Sequence, residues 1–218
     1  VATNVIQLYE NVTSLIRAGA KNILVEKPYI LTETQLKEAI AIVKKYNVNM
    51  FIAYNRRFFS SVLKAKQIID QDGGLQMVKF DFTEWSHIIA KLDKNDLEKE
   101  RWLLSNSTHI IDLAFYFSGM PKELTAHING KLDWHPSGQI FVGSGVSNDE
   151  VLFSYGSDWG SAGRWWIELF TSERKLRLCP VEELTETRKG TVTETTIELD
   201  KGLDEKFKPG LYLQTKSF

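Results

Sequence analysis

The chain carries a single cysteine, Cys179, in 218 residues, so no disulfide can form within it, and a reducing, cytoplasmic compartment is expected. No histidine or basic residue adjoins that cysteine, which points to a residue packed in or beside a strand rather than to a reactive thiol. An excess of charge of one sign is also missing. Lys and Arg number 27 against 28 Asp and Glu, interspersed for a net charge of -1. That balance offers no basic face to nucleic acid and no polybasic anchor to a membrane, and neither is an expected partner. No run of about 18 consecutive apolar residues occurs, so nothing in these residues reads as a membrane-spanning helix. Serine-elbow, Walker and HExxH patterns are absent, which weakens hydrolase, kinase and metalloprotease readings. The histidines and the cysteine lack metal-ligand spacing, so no metal is expected. Internal repeats and low-complexity tracts are missing too.

What is present is a globular composition, 43% hydrophobic and 11% aromatic, enough for one large core or two modest ones. Val5, Leu8, Val12, Leu15 and Ile16 recur at helical spacing over 4–18, and Gly19 follows where a helix often ends in a left-handed residue. Asn22 to Val25 is a short apolar run suited to a parallel strand covered on both faces. Thr32 and Gln35 form a capping-box signature ahead of Leu36, Ala39, Ile40 and Val43, and Met50 to Ala53 supplies the next strand. Strand, helix and strand in this order imply a right-handed crossover, so residues 1–55 read as the second half of a doubly wound domain. Beyond residue 56 the pattern changes. A helix carries Val62, Ala65 and Ile69, Val78, Phe80 and Phe82 alternate with polar residues, and a polar loop from Lys91 to Lys99 leads to a helix over 106–118. Short strands are expected near 122–129, 151–155, 164–170, 174–178 and 192–199. Residues 56–218 thus read as an α+β domain, a mainly antiparallel sheet with helices on one face, closing on the start of a helix at Leu211.

Chemistry concentrates at a few positions. Lys27 follows a parallel strand and precedes Pro28, at the sheet edge where open α/β folds bind ligands. Such a lysine could exchange a proton with a substrate if its pKa were lowered from the usual value near 10.4, or it could be a solvated lysine paired with an acid. His109 opens a helix face shared with Asp112, Leu113 and Tyr116, and suits a proton relay or a core histidine bonded to its own helix. Tyr54, Asn55, Arg56 and Arg57 emerge from a strand end, where an arginine could hold a carboxylate or phosphate or form a structural ion pair. Trp85, His87, Lys91, Arg101 and Trp102 are candidates for the same cleft. Trp134, His135, Trp159, Trp165 and Trp166 read as sheet packing or subunit interface, and Asp112 as structural.

The segments Val1-Ala2-Thr3-Asn4, Ala18-Gly19, Val25-Glu26-Lys27-Pro28, Tyr54-Asn55-Arg56-Arg57-Phe58 and His109-Ile110-Ile111-Asp112 together resemble the Gfo/Idh/MocA family of NAD(P)-dependent oxidoreductases, over essentially the whole chain. The resemblance implies that the chain enters a Rossmann-like domain at its fourth strand, the first half being absent, and that such a piece is inactive alone and binds cofactor weakly. It implies hydride transfer between NAD or NADP and a secondary alcohol or ketone of a sugar, cyclitol or related polyol. Lys27 and His109 would be catalytic, with a cis Lys27-Pro28 bond. Thr3, Asn4, Glu26 and Lys27 would meet the cofactor, and Tyr54, Asn55, Arg56, Trp85, His87, Ser105 and Asn106 the substrate. The open sheet face would pair subunits into a homo-oligomer. Ser105 departs from the family pattern, which commonly has an aspartate four residues before the histidine. That departure keeps a non-catalytic sugar- or cofactor-sensing or scaffold relative in view, alongside an NAD-dependent glycosidase.

Overall fold

The computed structural model describes residues 1–218. It opens with α1 (Val5–Arg17), β1 (Asn22–Val25), α2 (Glu33–Tyr46) and β2 (Asn49–Ile52). Asn4 caps α1 by accepting from the Ile6 amide at 3.2 Å, and Leu8, Val12 and Ile16 form its buried stripe. The Thr32 hydroxyl accepts from the Gln35 amide at 3.2 Å, the first half of the expected capping box, while the Gln35 side chain reaches one residue further back and accepts from the Leu31 amide at 2.8 Å. β1 and β2 pair in parallel from Asn22 opposite Asn49 to Val25 opposite Ile52, and α1 and α2 pack together. A small core of eight buried residues joins Leu8, Val12 and Ile16 to Ile23, Val25 and Tyr29.

A 3-10 turn (Asn55–Phe58) then leads into α3 (Ser60–Gln71), β3 (Met77–Asp81), α4 (Ser86–Ile89), α5 (Asp96–Glu100), a π-helical turn (Leu103–Ser107) and α6 (Thr108–Ser118). The strands β4 (Pro121–Asn129), β5 (Ile140–Ser147), β6 (Leu152–Asp158), β7 (Trp166–Phe170), β8 (Arg174–Leu178), β9 (Thr185–Arg188) and β10 (Glu194–Thr196) precede α7 (Gly202–Lys206) and α8 (Leu211–Ser217). Eight strands form one sheet in the order β10-β9-β8-β7-β3-β6-β5-β4, antiparallel except where β3 meets β6. α3 and α6 cover one face, and a core of 24 buried residues lies between. The opposite face carries no helix and mixes apolar Val142 and Leu152, both exposed, with Lys79 and Glu168. No helix is long and apolar enough to cross a membrane.

The expected α/β and α+β architecture is present, with local differences. Between Lys91 and Lys99 the chain is not all loop, since α5 begins at Asp96, and α6 starts at Thr108 because a π-helical turn occupies 103–107. The strand expected over 192–199 shortens to β10. β5 and β9 were not foreseen. β5 contains Gly143 and Gly145, which read locally as turn residues. Tertiary packing explains them: a Cβ at Gly143 would lie 2.4 Å from the Tyr155 ring, and one at Gly145 would lie 1.9 Å from the Glu123 carbonyl. Cys179 sits directly after β8 but is exposed rather than packed.

Candidate active site

β1 and β2 run in parallel, so the residues leaving both strands emerge at one edge. After β1 come Glu26, Lys27 and Pro28, with the cis Lys27-Pro28 bond that the family resemblance implied and Tyr29 at φ 64°. After β2 come Tyr54 and the 3-10 turn that carries Arg56. The π-helical turn and the first turn of α6 close the cleft from the other side: the Lys27 ammonium donates to the Ser105 carbonyl. β3 contributes Glu84 just beyond its end. Asp81 pairs with Trp166 across the antiparallel β3–β7 ladder, which brings Arg164 and Trp165 to the same end.

Lys27 and His109 are thus brought together. Burial pushes the Lys27 pKa down to about 8, and the neighbouring Arg56 pushes it the same way, while Glu26, Glu84 and Glu98 hold it up. His109, 8% exposed, is pushed down to about 2, first by burial and then by Arg56 and Lys27, so its imidazole is neutral throughout the physiological range. Its ring lies 6.1 Å from Tyr54 and 6.3 Å from Trp165, and its Nδ1 has no hydrogen-bond partner.

The other predicted residues divide. Arg56 faces the cleft, its guanidinium 5.1 Å from the Trp165 ring. Ser105 contributes its backbone carbonyl, not its side chain, because its hydroxyl donates to the carbonyls of Glu98 at 3.1 Å and Arg101 at 3.2 Å. Asn106 donates to Glu84 at 2.9 Å. Trp85 borders the cleft through Arg164, which lies 5.0 Å over its ring, and its indole donates to the Gly163 carbonyl at 2.9 Å. Asn55 turns away and donates to the Pro209 carbonyl at 3.1 Å. His87 lines a separate hollow of about 770 Å³ with Trp134 and Asp96. Thr3 and Asn4 are engaged locally, Thr3 accepting from Asn11 at 3.0 Å and Asn4 capping α1. Their stretch nevertheless runs beside Glu26, whose amide donates to the Val1 carbonyl at 2.9 Å. Arg57 forms a bidentate pair with Asp112, giving that aspartate the structural part expected of it.

Glu84 and Arg164 at the cleft were missed from the sequence. Trp165, read as sheet packing or subunit interface, lies in the sheet core and also packs against His109 and Arg56. Glu84 is 1% exposed, and its carboxylate accepts from Ser107 at 2.7 Å, Asn106 at 2.9 Å and Arg164 at 3.3 Å. No local signal marks it, since its partners lie on the π-helical turn before α6 and on the approach to β7. Burial raises its pKa, and its hydrogen-bond donors work in the opposite direction. Because this carboxylate favours the charged form of Lys27, Glu84→Gln is expected to move the Lys27 titration to lower pH. NMR of the lysine ε-carbon would check it, and an unchanged titration would mean that the two groups do not communicate.

No protein-family model matches the chain. An uncharacterised oxidoreductase of Schizosaccharomyces pombe is 30% identical over 134 residues, covering 56% of this chain and 34% of the relative. The scyllo-inositol 2-dehydrogenase (NADP+) of Bacillus subtilis is 27% identical over 124 residues, 55% of this chain and 34% of that enzyme. The chain therefore spans about a third of the length of these curated relatives. Among solved structures, a levoglucosan dehydrogenase complex with NADH and L-sorbose shares the fold with a TM-score of 0.73 at 20% identity, over 92% of this chain and 60% of that one. These relatives are oxidoreductases and fit the Gfo/Idh/MocA resemblance carried by Val25–Pro28 and His109–Asp112.

Proposed function

We propose that this chain carries the proton-exchanging side of an NAD(P)-dependent oxidoreductase acting on a secondary alcohol or ketone of a sugar, cyclitol or related polyol. The observation that supports it most is the convergence of Lys27, with its pKa lowered to about 8, and a neutral, half-unpartnered His109 at the carboxyl edge of the parallel strands. Residues 1–55 would form part of the nucleotide-binding domain and 56–218 the substrate-binding and oligomerisation domain.

The residues fit a nicotinamide group. The Thr3–Asn4 stretch and Glu26, joined through the Val1–Glu26 backbone bond, would hold its outer side, and Lys27 would lie on the substrate side. When bound, the nucleotide supplies the hydride acceptor for alcohol oxidation. The chain's own part is proton handling and orientation. In the oxidation direction the neutral Lys27 amine accepts the substrate hydroxyl proton, and the Ser105 carbonyl holds the amine in place. His109 offers the substrate a hydrogen bond through Nε2, its Nδ1 being sealed among its neighbours, in whichever tautomer the substrate selects. The Tyr54 and Trp165 rings confine it.

The deciding experiment is a spectrophotometric screen at 340 nm of NAD+ and NADP+ against neutral and acidic polyols, using protein that includes the nucleotide-binding residues. Turnover on any polyol supports the reading, and its absence on all of them overturns it. A non-catalytic sensor is the second reading, favoured by Ser105, which brings no carboxylate and uses its hydroxyl internally. It predicts ligand binding without turnover. For the open face of the sheet we propose a homo-oligomer interface around Val142 and Leu152. Val142→Lys combined with Leu152→Lys is expected to convert an oligomer to a monomer in light scattering coupled to size exclusion, and an unchanged mass would exclude this face.

A further inference from the structure

Several arginines of this chain meet carboxylates directly. Arg174, 15% exposed at its side chain, binds Asp72 and Glu186, and Arg57 binds Asp112. Arg56 is different. It is half-buried, enough for desolvation to lower its pKa, yet no carboxylate lies within ion-pairing distance and its guanidinium donates no hydrogen bond within the chain. The acids nearest the cleft are engaged elsewhere: Glu84 with Ser107, Asn106 and Arg164, and Glu98 with Lys94 at 2.5 Å. Glu182 acts on Arg56 only from a distance.

The surroundings of Arg56 repeat the pattern. Trp165 is 5% exposed, and its indole N–H has no acceptor although its ring lies 5.1 Å from the Arg56 guanidinium and 4.9 Å from that of Arg164. His109 Nδ1, beside it, is unpartnered as well. Lys27 adds a further positive charge when protonated. A partly desolvated cation without a partner is costly, and a cleft keeps such a group when a ligand satisfies it. The Arg56 guanidinium offers donors only, beside buried carboxylates, Glu84 and Glu98, that are already engaged.

We infer that the substrate of this site bears an anionic oxygen group, a carboxylate or phosphate ester on the polyol, bound by the Arg56 guanidinium beside the Trp165 ring, whose indole reports on the site. This rests on the oxidoreductase reading and narrows its substrate class from polyols in general to sugar acids or sugar phosphates. The anion is held bidentately by the planar fork, whose guanidinium lies 5.1 Å from the Trp165 ring. The polyol chain then extends toward Lys27 and His109, where the reacting hydroxyl sits.

The test uses the full chain, 15N-labelled, with the Trp165 indole peak identified by its loss in Trp165→Phe. D-gluconate, D-glucose 6-phosphate, neutral sorbitol and each nicotinamide nucleotide alone are titrated separately. Gluconate or the sugar phosphate should shift the Trp165 N–H, the stronger of the two identifying the anion, and sorbitol should not. Arg56→Gln should weaken that binding by about 10- to 100-fold, the range of a charged hydrogen bond, with Arg56→Lys intermediate. Equal response to sorbitol, no response to either anion, unchanged affinity in Arg56→Gln, or the same shift from a nucleotide alone would each overturn the inference. Enzymatic turnover of neutral polyols without preference for the anionic ones would overturn it while leaving the oxidoreductase reading standing. An Arg56-dependent shift without turnover of any polyol would support the anion site and overturn the reaction.

Discussion

Lys27→Met in the cofactor-binding enzyme is expected to lower turnover by about 10²- to 10⁴-fold, the usual weight of a positioned acid–base group. The loss should fall on kcat with little change in folding. The direction on stability separates chemistry from structure. The folded-state pKa of Lys27 is lowered from 10.5 to about 8, chiefly by burial, so the protonated lysine is disfavoured in the fold. Between those two values the unfolded chain binds more protons than the folded one, and stability contributed by this group rises with pH; below about 8 its cost is fully present. Methionine removes that cost, so thermal melting at pH 7 should show no loss of stability. A variant that unfolds as well as losing turnover would make Lys27 a structural residue. The same displacement predicts that alcohol oxidation by the unmodified enzyme rises as pH passes about 8, where the amine becomes free to accept a proton, and that carbonyl reduction falls over the same interval. His109 should add no inflection near neutrality, since its pKa is pushed far below its usual value. A pH–rate profile flat from 7 to 9 in both directions would exclude the lysine as the proton-exchanging group.

The second large effect is on the fold. Arg174 at the start of β8 donates to Asp72 through Nε and Nη2, both at 2.8 Å, and to Glu186 on β9 through Nη1 at 2.8 Å. Thr171 adds a further bond to Asp72 at 2.8 Å. Asp72 caps the end of α3 and has a side chain only 4% exposed, so this cluster fastens a helix to the sheet at its outer half. Arg174→Ala leaves Asp72 buried with no counter-charge and Glu186 with only the exposed Arg188, and removal of one partner from such a cluster costs about 3–5 kcal/mol. At about 2–4 °C per kcal/mol for a chain of this size, the melting temperature should drop by about 10 °C in calorimetry. Lys37→Ala serves as the control. Its pair with Glu33 is 74% and 78% exposed, and no measurable change is expected. If both variants melted alike, the buried cluster would contribute nothing to stability.

The sequence by itself determined the elements whose reasons are local. Helical periodicity specifies α1, and periodicity with the Thr32 cap specifies α2, because a cap and a stripe need only neighbours within a turn or two. Alternation specifies β3, and the Glu26-Lys27-Pro28 and His109–Asp112 segments pointed to the cleft residues that the structure brings together. Long-range pairing decided the rest. Gly143 and Gly145 hide a strand until Tyr155 and Glu123 are seen lying against them. Asn55 and His87 carry plausible chemistry in sequence, but Pro209 claims the first and a different hollow the second. Glu84, Arg164 and Trp165 acquire their place only because β7 returns antiparallel beside β3, setting their flanking residues at the end where β1 and β2 also finish. Burial, and with it the lowered pKa of Lys27 and the unpaired state of Arg56, is a property of that assembly: desolvation depends on what packs around a group, and those neighbours come from four separate stretches of chain.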